Sequence, residues 1–212
     1  MTKRFILVAG NIGSGKTSLA ARVGERLGYV TAFESVADNP YLPDFYADMR
    51  AWAFHLQIFF LGHRAEQHRA LALAPESAIC DRSLYEDYYI FARALRRLGN
   101  IAERDFLSYE RLFRLVVNSL PAPDLLLYLR ASTPTLLARI RGRGRAIEAG
   151  ISGEYLDLLN ALYADWLAGF DLCPVLTIPA DDLDFVNRSA HVDLVVDKIQ
   201  EKLSGKEVVV FR

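Results

Sequence analysis

The stretch that most constrains the fold of this 212-residue chain is Gly10-Asn11-Ile12-Gly13-Ser14-Gly15-Lys16-Thr17, which fits G-x-x-x-x-G-K-[ST]. Before it runs Arg4 to Ala9 (RFILVA), a short apolar run ending in glycine, the mark of a strand buried on both faces. After it, Thr17 to Leu27 carries apolar residues at helical spacing and stops before Gly28. Strand, glycine-rich loop and helix in that order make a phosphate-binding loop. The glycines let backbone N–H groups turn inward around phosphates, and the helix N-terminus adds partial positive charge. Lys16 is expected to reach the transferred phosphate and the Thr17 hydroxyl to hold Mg²⁺. The loop alone leaves kinases, GTPases and ATPases open. No Asn-Lys-x-Asp guanine motif occurs, and Gly13 gives the form G-x-x-G-x-G-K, common in small-molecule kinases.

The rest of the chain alternates in the same manner. Further strands are expected at Tyr29 to Phe33, Ala78 to Asp81, Leu125 to Arg130 and Pro174 to Ile178. Helices are expected at Trp52 to Leu73, Leu84 to Leu98, Ala102 to Ser119, Glu154 to Phe170 and Asp184 to Leu203. A further helix is capped by Ser132 or Thr133, with Pro134 in its first turn. This pattern predicts an α/β fold, a five-stranded parallel sheet flanked by helices. No linker or repeat divides the chain, so residues 1–212 are read as one domain. Lys206 to Arg212 (KEVVVFR) reads as a short strand-like tail, suited to a sheet edge or a neighbouring subunit.

Twenty-five basic residues against 26 acidic leave a net charge of −1, which disfavours a nucleic acid polymer as partner. The apolar run near Met1 is too short for a signal peptide and leads into the glycine loop, and no stretch reaches the ~18 apolar residues of a membrane span. A soluble, cytoplasmic protein without a membrane partner is expected. Cys80 and Cys173 have neither disulfide nor metal spacing and read as core residues. His55, His63, His68 and His191 match no metal-ligand pattern and are expected to pack or face solvent. One local anomaly breaks the charge balance: Arg139, Arg141, Arg143 and Arg145 fall at every second position. By itself such a run is as compatible with a solvated face as with a phosphate site.

Beyond the loop, several motifs occur in order: Phe33-Glu34-Ser35-Val36, Asp38-Asn39-Pro40-Tyr41-Leu42, Trp52-Ala53-Phe54-His55-Leu56-Gln57, Asp81-Arg82-Ser83-Leu84-Tyr85-Glu86-Asp87, and the arginine stretch ending in Glu148. With them the chain resembles the deoxynucleoside kinase family over nearly its whole length. It looks most like the bacterial deoxyadenosine/deoxycytidine branch, particularly in Asp81 to Asp87 and in Phe170 to Leu176. The resemblance implies a P-loop kinase fold with an arginine-rich lid at about residues 141–151. It also implies transfer of the ATP γ-phosphate to the 5′-hydroxyl of a deoxynucleoside with Mg²⁺, and a homodimer.

The resemblance assigns the residues as follows. Gly10 to Thr17, followed by Ser18, hold the donor phosphates, and Asp81 joins Thr17 at the metal. Glu34, at the end of a strand where α/β ligands gather, is the base for the 5′-hydroxyl; the residue alone would equally serve as a capping or surface acid. Arg82 contacts the 5′-oxygen and pairs with Glu34. Gln57 binds the base edge, with Arg64 and Asp87 as a charged pair beside it. An ionised Asp87 only accepts, so it favours an amino-bearing base and disfavours thymidine. Tyr46, eleven residues before Gln57, binds the sugar 3′-hydroxyl with Glu148. Trp52, Phe54 and Phe91 suit either the pocket lining or plain core.

Arg139, Arg143 and Arg145 match lid arginines, with Arg143 and Arg145 catalytic, while Arg141 has no expected role. Asp184 and Phe185 match the segment touching the donor base, although Asp184 is equally suited to cap a helix. A deoxyguanosine-preferring kinase remains open, because such relatives also carry an Arg/Asp pair. Two other classes compete: a nucleoside monophosphate kinase such as thymidylate kinase, which would need acceptor-side phosphate contacts, and an ATP-binding scaffold without activity.

Overall fold

The computed structural model describes residues 2–33, 39–145, 148 and 150–205. Five strands, β1 (Phe5–Gly10), β2 (Val30–Ala32), β3 (Ala78–Asp81), β4 (Leu125–Arg130) and β5 (Val175–Pro179), form one sheet in the order β2-β3-β1-β4-β5. All neighbouring strands are parallel. The helices are α1 (Lys16–Leu27), α2 (Leu42–Ala47), α3 (Met49–Leu73), α4 (Leu84–Glu86), α5 (Arg93–Arg97), α6 (Glu103–Val117), α7 (Thr133–Arg143), α8 (Gly153–Ala168) and α9 (Ser189–Leu203). A π-helical segment, Asp87–Ala92, joins α4 to α5.

Every residue of β1 is buried, as its unbroken apolar run requires. Its side chains alternate between two cores. Phe5, Leu7 and Ala9 meet α3, α6 and α8 through Leu56, Phe113 and Leu162. Ile6 and Val8 meet α1, α7 and α9 through Leu19, Ile140 and Val195. Each fully buried Leu or Ile of this kind contributes about 1.5–3 kcal/mol. The chain passes from β1 out to β2, returns through β3, and crosses β1 to reach β4. The phosphate loop therefore leaves the sheet at its switch point, where α/β folds open a crevice.

Several expectations shift. The reading from Leu84 to Leu98 becomes three consecutive helical pieces, because the π segment widens the turn there. The helix expected from Asp184 begins at Ser189; Asp184 instead closes a turn, its Oδ1 accepting from the N–H groups of Val186 and Asn187, both at 2.9 Å. Helix α3 starts at Met49, three residues before Trp52, because Asp48 caps it by accepting from Ala51 N–H at 3.0 Å. The short α2 had no counterpart in the sequence reading. Among the described residues no helix is long and apolar enough to cross a membrane. The tail Lys206 to Arg212 lies outside the described residues.

Candidate active site

The phosphate loop turns through Gly13 (φ 82°) and Gly15 (φ 98°), left-handed values that favour glycine. At Gly13 a Cβ would also stand 2.9 Å from Ile140 Cγ1 of α7. Gly15 caps α1, so the first N–H groups of that helix have no intrahelical acceptor and open into the loop. The Asn11 side chain fixes the loop on α8: its Nδ2 donates to the Leu156 carbonyl at 2.9 Å and to Asn160 Oδ1 at 2.8 Å. Its Oδ1 accepts from Ile12 N–H at 2.7 Å. Lys16 bends back over the loop, its Nζ donating to the carbonyls of Gly10 at 2.7 Å and Asn11 at 3.0 Å.

Strand pairing sets Asp81 opposite Val8, so the end of β3 lies beside the start of the loop. There the Thr17 hydroxyl donates to Asp81 Oδ2 at 2.5 Å. Asp81 is buried, and its Oδ1 has no hydrogen-bond partner among the described residues. A hydroxyl and a carboxylate with a spare buried oxygen are the hard donors that a magnesium ion takes alongside phosphates and water.

Arg82 follows directly. Its φ of 74° is the one positive value at a non-glycine residue among those described. Such a conformation costs roughly 1–3 kcal/mol and persists only when its surroundings enforce it. The enforcement is visible: Arg82 N–H donates to the Val8 carbonyl at 3.0 Å, and its own carbonyl accepts from Cys80 Sγ at 3.2 Å. The turn sends the buried guanidinium over the Phe91 ring, 4.6 Å from its centre.

Helix α3 carries Gln57 and Arg64 two turns apart on its buried side. Arg64 Nε meets Asp87 Oδ2 at 2.7 Å, and both side chains are buried. Gln57 is 3% exposed, and its Oε1 has no hydrogen-bond partner among the described residues. Asp87 and Phe91 both ride on the π-helical segment, a distortion frequent at functional sites. Tyr46 lies on α2, half exposed, with its ring 5.3 Å from that of Phe45. Trp52, Phe54 and Phe91 are half-buried and pack on the main core.

Beyond α7, Glu148 is bound by Arg143, Nη2 to Oε1 at 2.5 Å and Nε to Oε2 at 3.1 Å. Arg145 Nη1 stands 3.8 Å from the same carboxylate. Arg139 has turned to the backbone: it donates to the carbonyls of Ser14 at 3.1 Å, Ala180 at 2.6 Å and Leu183 at 3.0 Å. It thus braces the phosphate loop against the loop after β5. Phe185 is buried in the second core and faces Gly15. Asp184 N–H donates to His191 Nδ1 at 2.9 Å, a packing role for that histidine. The neighbouring amides hold the Asp184 carboxyl below the usual range.

Glu34, with Ser35, Val36 and Asp38 of the neighbouring motifs, lies outside the described residues. Sequence reasoning gave no role to Glu86, Tyr155 or Tyr163. Tyr155 of α8 lies within electrostatic reach of Tyr46 and Arg82, and burial pushes its phenol up to about 12. Burial pushes the thiols of Cys80 and Cys173 up to about 12 as well, which makes them inert packing groups.

A parallel sheet with this loop at its switch point, and Asp81 beside Thr17, defines a P-loop kinase fold. Comparison with known proteins narrows the class. The family profile described as deoxynucleoside kinase matches residues 6–204. The deoxyadenosine/deoxycytidine kinase of Bacillus subtilis (strain 168) is 38% identical over 197 residues, covering 92% of this chain and 91% of that one. The deoxyguanosine kinase of the same organism is 31% identical over 204 residues, covering 94% and 98%. A structure of deoxyadenosine kinase from M. mycoides, with products dCMP and a flexible dCDP bound, superposes with a TM-score of 0.82 at 30% identity, covering 93% and 99%. The chain belongs to the deoxynucleoside kinase family and is a phosphotransferase.

Proposed function

We propose that this kinase transfers the γ-phosphate of ATP to the 5′-hydroxyl of deoxyadenosine or deoxycytidine. The observation that carries the base preference is Gln57: a buried acceptor, Oε1, without a partner among the described residues. Adenine and cytosine each present an amino group beside a ring acceptor, the complement of a carboxamide. Asp87, held by Arg64, adds a second acceptor suited to that amino group. Tyr46 and Glu148 bind the sugar's 3′ edge.

The donor triphosphate lies along Gly10 to Ser18. Lys16 leaves the Gly10 and Asn11 carbonyls for the phosphates, and Arg139, Asp184 and Phe185 border the donor side. Thr17 and Asp81 hold Mg²⁺, which when bound offsets charge on the phosphate oxygens. Glu34 takes the hydroxyl proton. Arg82, Arg143 and Arg145 stabilise the charge of the group in flight, where most catalysis of phosphoryl transfer resides. The protein works as a single-domain cytoplasmic homodimer with small-molecule substrates only.

The test is turnover of the four deoxynucleosides, and of dTMP, with ATP and Mg²⁺. Deoxyadenosine and deoxycytidine are expected to lead. Activity confined to deoxyguanosine or thymidine overturns the base assignment, and activity on dTMP alone overturns the nucleoside assignment. Glu34→Gln is expected to lower kcat by about 10²–10⁴-fold in a folded protein.

A further inference from the structure

Glu86 has no exposed surface. A buried acid is tolerated only when donors surround it, and here they do. Its Oε2 accepts from Ser83 N–H at 3.0 Å, within a capping box at the start of α4. Its Oε1 accepts from Gly10 N–H at 3.2 Å and lies 2.6 Å from the Tyr163 hydroxyl. That hydroxyl is also 2.7 Å from the Gly10 carbonyl oxygen, so its one proton is divided between two acceptors. The same carbonyl accepts from Lys16 Nζ at 2.7 Å. Both peptide groups flanking the Gly10 Cα are therefore held, the N–H by Glu86 and the C=O by Tyr163 and Lys16.

Three parts of the site converge on this one carboxyl group. Gly10 opens the phosphate loop. Ser83 follows the strained Arg82. Tyr163 belongs to α8, the helix that follows the lid. We infer that Glu86 and Tyr163 form a buried clamp that keeps the phosphate loop in register with Arg82 and with α8, making both of them positioning residues for phosphoryl transfer. The inference rests on reading the loop as the donor site.

The arrangement has a second use. When Lys16 moves from the Gly10 carbonyl to a phosphate, that buried oxygen would lose a donor. The Tyr163 hydroxyl is already within reach to replace it. Burial and the adjacent Glu86 push this phenol well above its ordinary value, so it keeps its proton for that task. Small displacements matter here, because a misplacement of about 1 Å can cost on the order of 10² in rate.

The experiment compares steady-state constants for ATP and for deoxyadenosine in Tyr163→Phe and Glu86→Gln, together with thermal midpoints. Tyr163→Phe keeps the ring that stacks on Tyr128 and removes only the hydroxyl. It is expected to lower kcat/KM for ATP about tenfold while KM for deoxyadenosine stays within about twofold. Glu86→Gln sets an amide NH₂ against donors that the carboxylate accepted from, and is expected to lose more. Should Glu86→Gln fail to fold, Tyr163→Phe decides alone. Val195→Ala, on the buried face of α9, is expected to lower the midpoint and leave the constants parental. Parental ATP constants in Tyr163→Phe overturn the clamp, and so does an equal loss toward both substrates that tracks the midpoint. Lys16→Ala is run in parallel and is expected to be inactive. Turnover surviving there overturns the donor-site reading and the clamp with it, whereas an inactive Lys16→Ala beside a parental Tyr163→Phe overturns the clamp alone.

Discussion

Arg143 holds Glu148 by two prongs, Nη2 to Oε1 at 2.5 Å and Nε to Oε2 at 3.1 Å. The partners stand five residues apart across the turn that Gly144 opens at the end of α7. Arg143 is proposed for the phosphate in flight and Glu148 for the sugar, so the pair joins the donor and acceptor halves of the site.

Each partner also competes for the other. A triphosphate that needs Arg143 must draw it from a bidentate carboxylate, an interaction worth about 0.2–1 kcal/mol where solvent reaches it. Glu148→Gln is therefore expected to tighten binding of a non-hydrolysable ATP analogue by up to roughly fivefold. The same change raises KM for the deoxynucleoside about tenfold, since a charged acceptor for the 3′-hydroxyl is lost. Calorimetric titration of the analogue decides the first half. Unchanged or weaker binding means that the ion pair does not hold Arg143 back.

Gln57 gives a trade of stability against function. Its Oε1 is buried without a partner among the described residues, and such an acceptor costs about 1–3 kcal/mol. Gln57→Leu keeps the size and removes the polar atom. The thermal midpoint is expected to rise by at least about 2–4 °C, while KM for deoxyadenosine rises more than about tenfold. A lower midpoint with unaltered KM would place Gln57 in the fold rather than at the base.

His68 sets a pH limit on stability. The ring is buried, with Nε2 donating to the Pro121 carbonyl at 2.8 Å, and burial lowers its pKa from 6.5 despite that hydrogen bond. The fold favours the neutral ring. As pH falls below 6.5 the unfolded chain binds the proton first, and stability declines until the folded ring also titrates. Above that range His68 adds no slope. Urea midpoints at about pH 8 and about pH 5.5 are expected to differ less in His68→Gln than in the parent. An identical difference in the two proteins would exclude His68 as a source of the slope.

The sequence made legible those parts of the site whose chemistry is local. The turn of Gly10 to Thr17 is written in its own glycines, and the buried strands β1, β3 and β4 announce themselves as apolar runs. What stayed hidden depends on distant partners. Ser83 and Glu86 carry the spacing of a capping box, yet nothing near Glu86 shows that its other oxygen serves Gly10 and Tyr163, 76 and 77 residues away. Arg139 reads as a lid arginine because its spacing is right; its partners at Ala180 and Leu183 exist only once β5 lies beside β4. The π-helical segment has no sequence period of its own, and Arg82 gives no sign of a positive φ, because non-glycine residues enter that region only when tertiary contacts compel them.

That last residue allows strain to be separated from chemistry. Arg82 contributes a guanidinium over Phe91 and pays for a backbone with φ 74°. Arg82→Ala and Arg82→Gly both delete the guanidinium, and both are expected to lower kcat by about 10²–10³. They differ in the backbone. A left-handed conformation costs alanine roughly 1–2 kcal/mol and costs glycine almost nothing, although glycine returns part of this through its freer unfolded chain. Arg82→Gly is therefore expected to melt about 2–4 °C above Arg82→Ala, the reverse of their order in a helix or strand. If Arg82→Ala is the more stable of the two, the turn after Asp81 is not strained, and the hydrogen bonds from Arg82 N–H to Val8 and from Cys80 to Arg82 are not holding it against a preference.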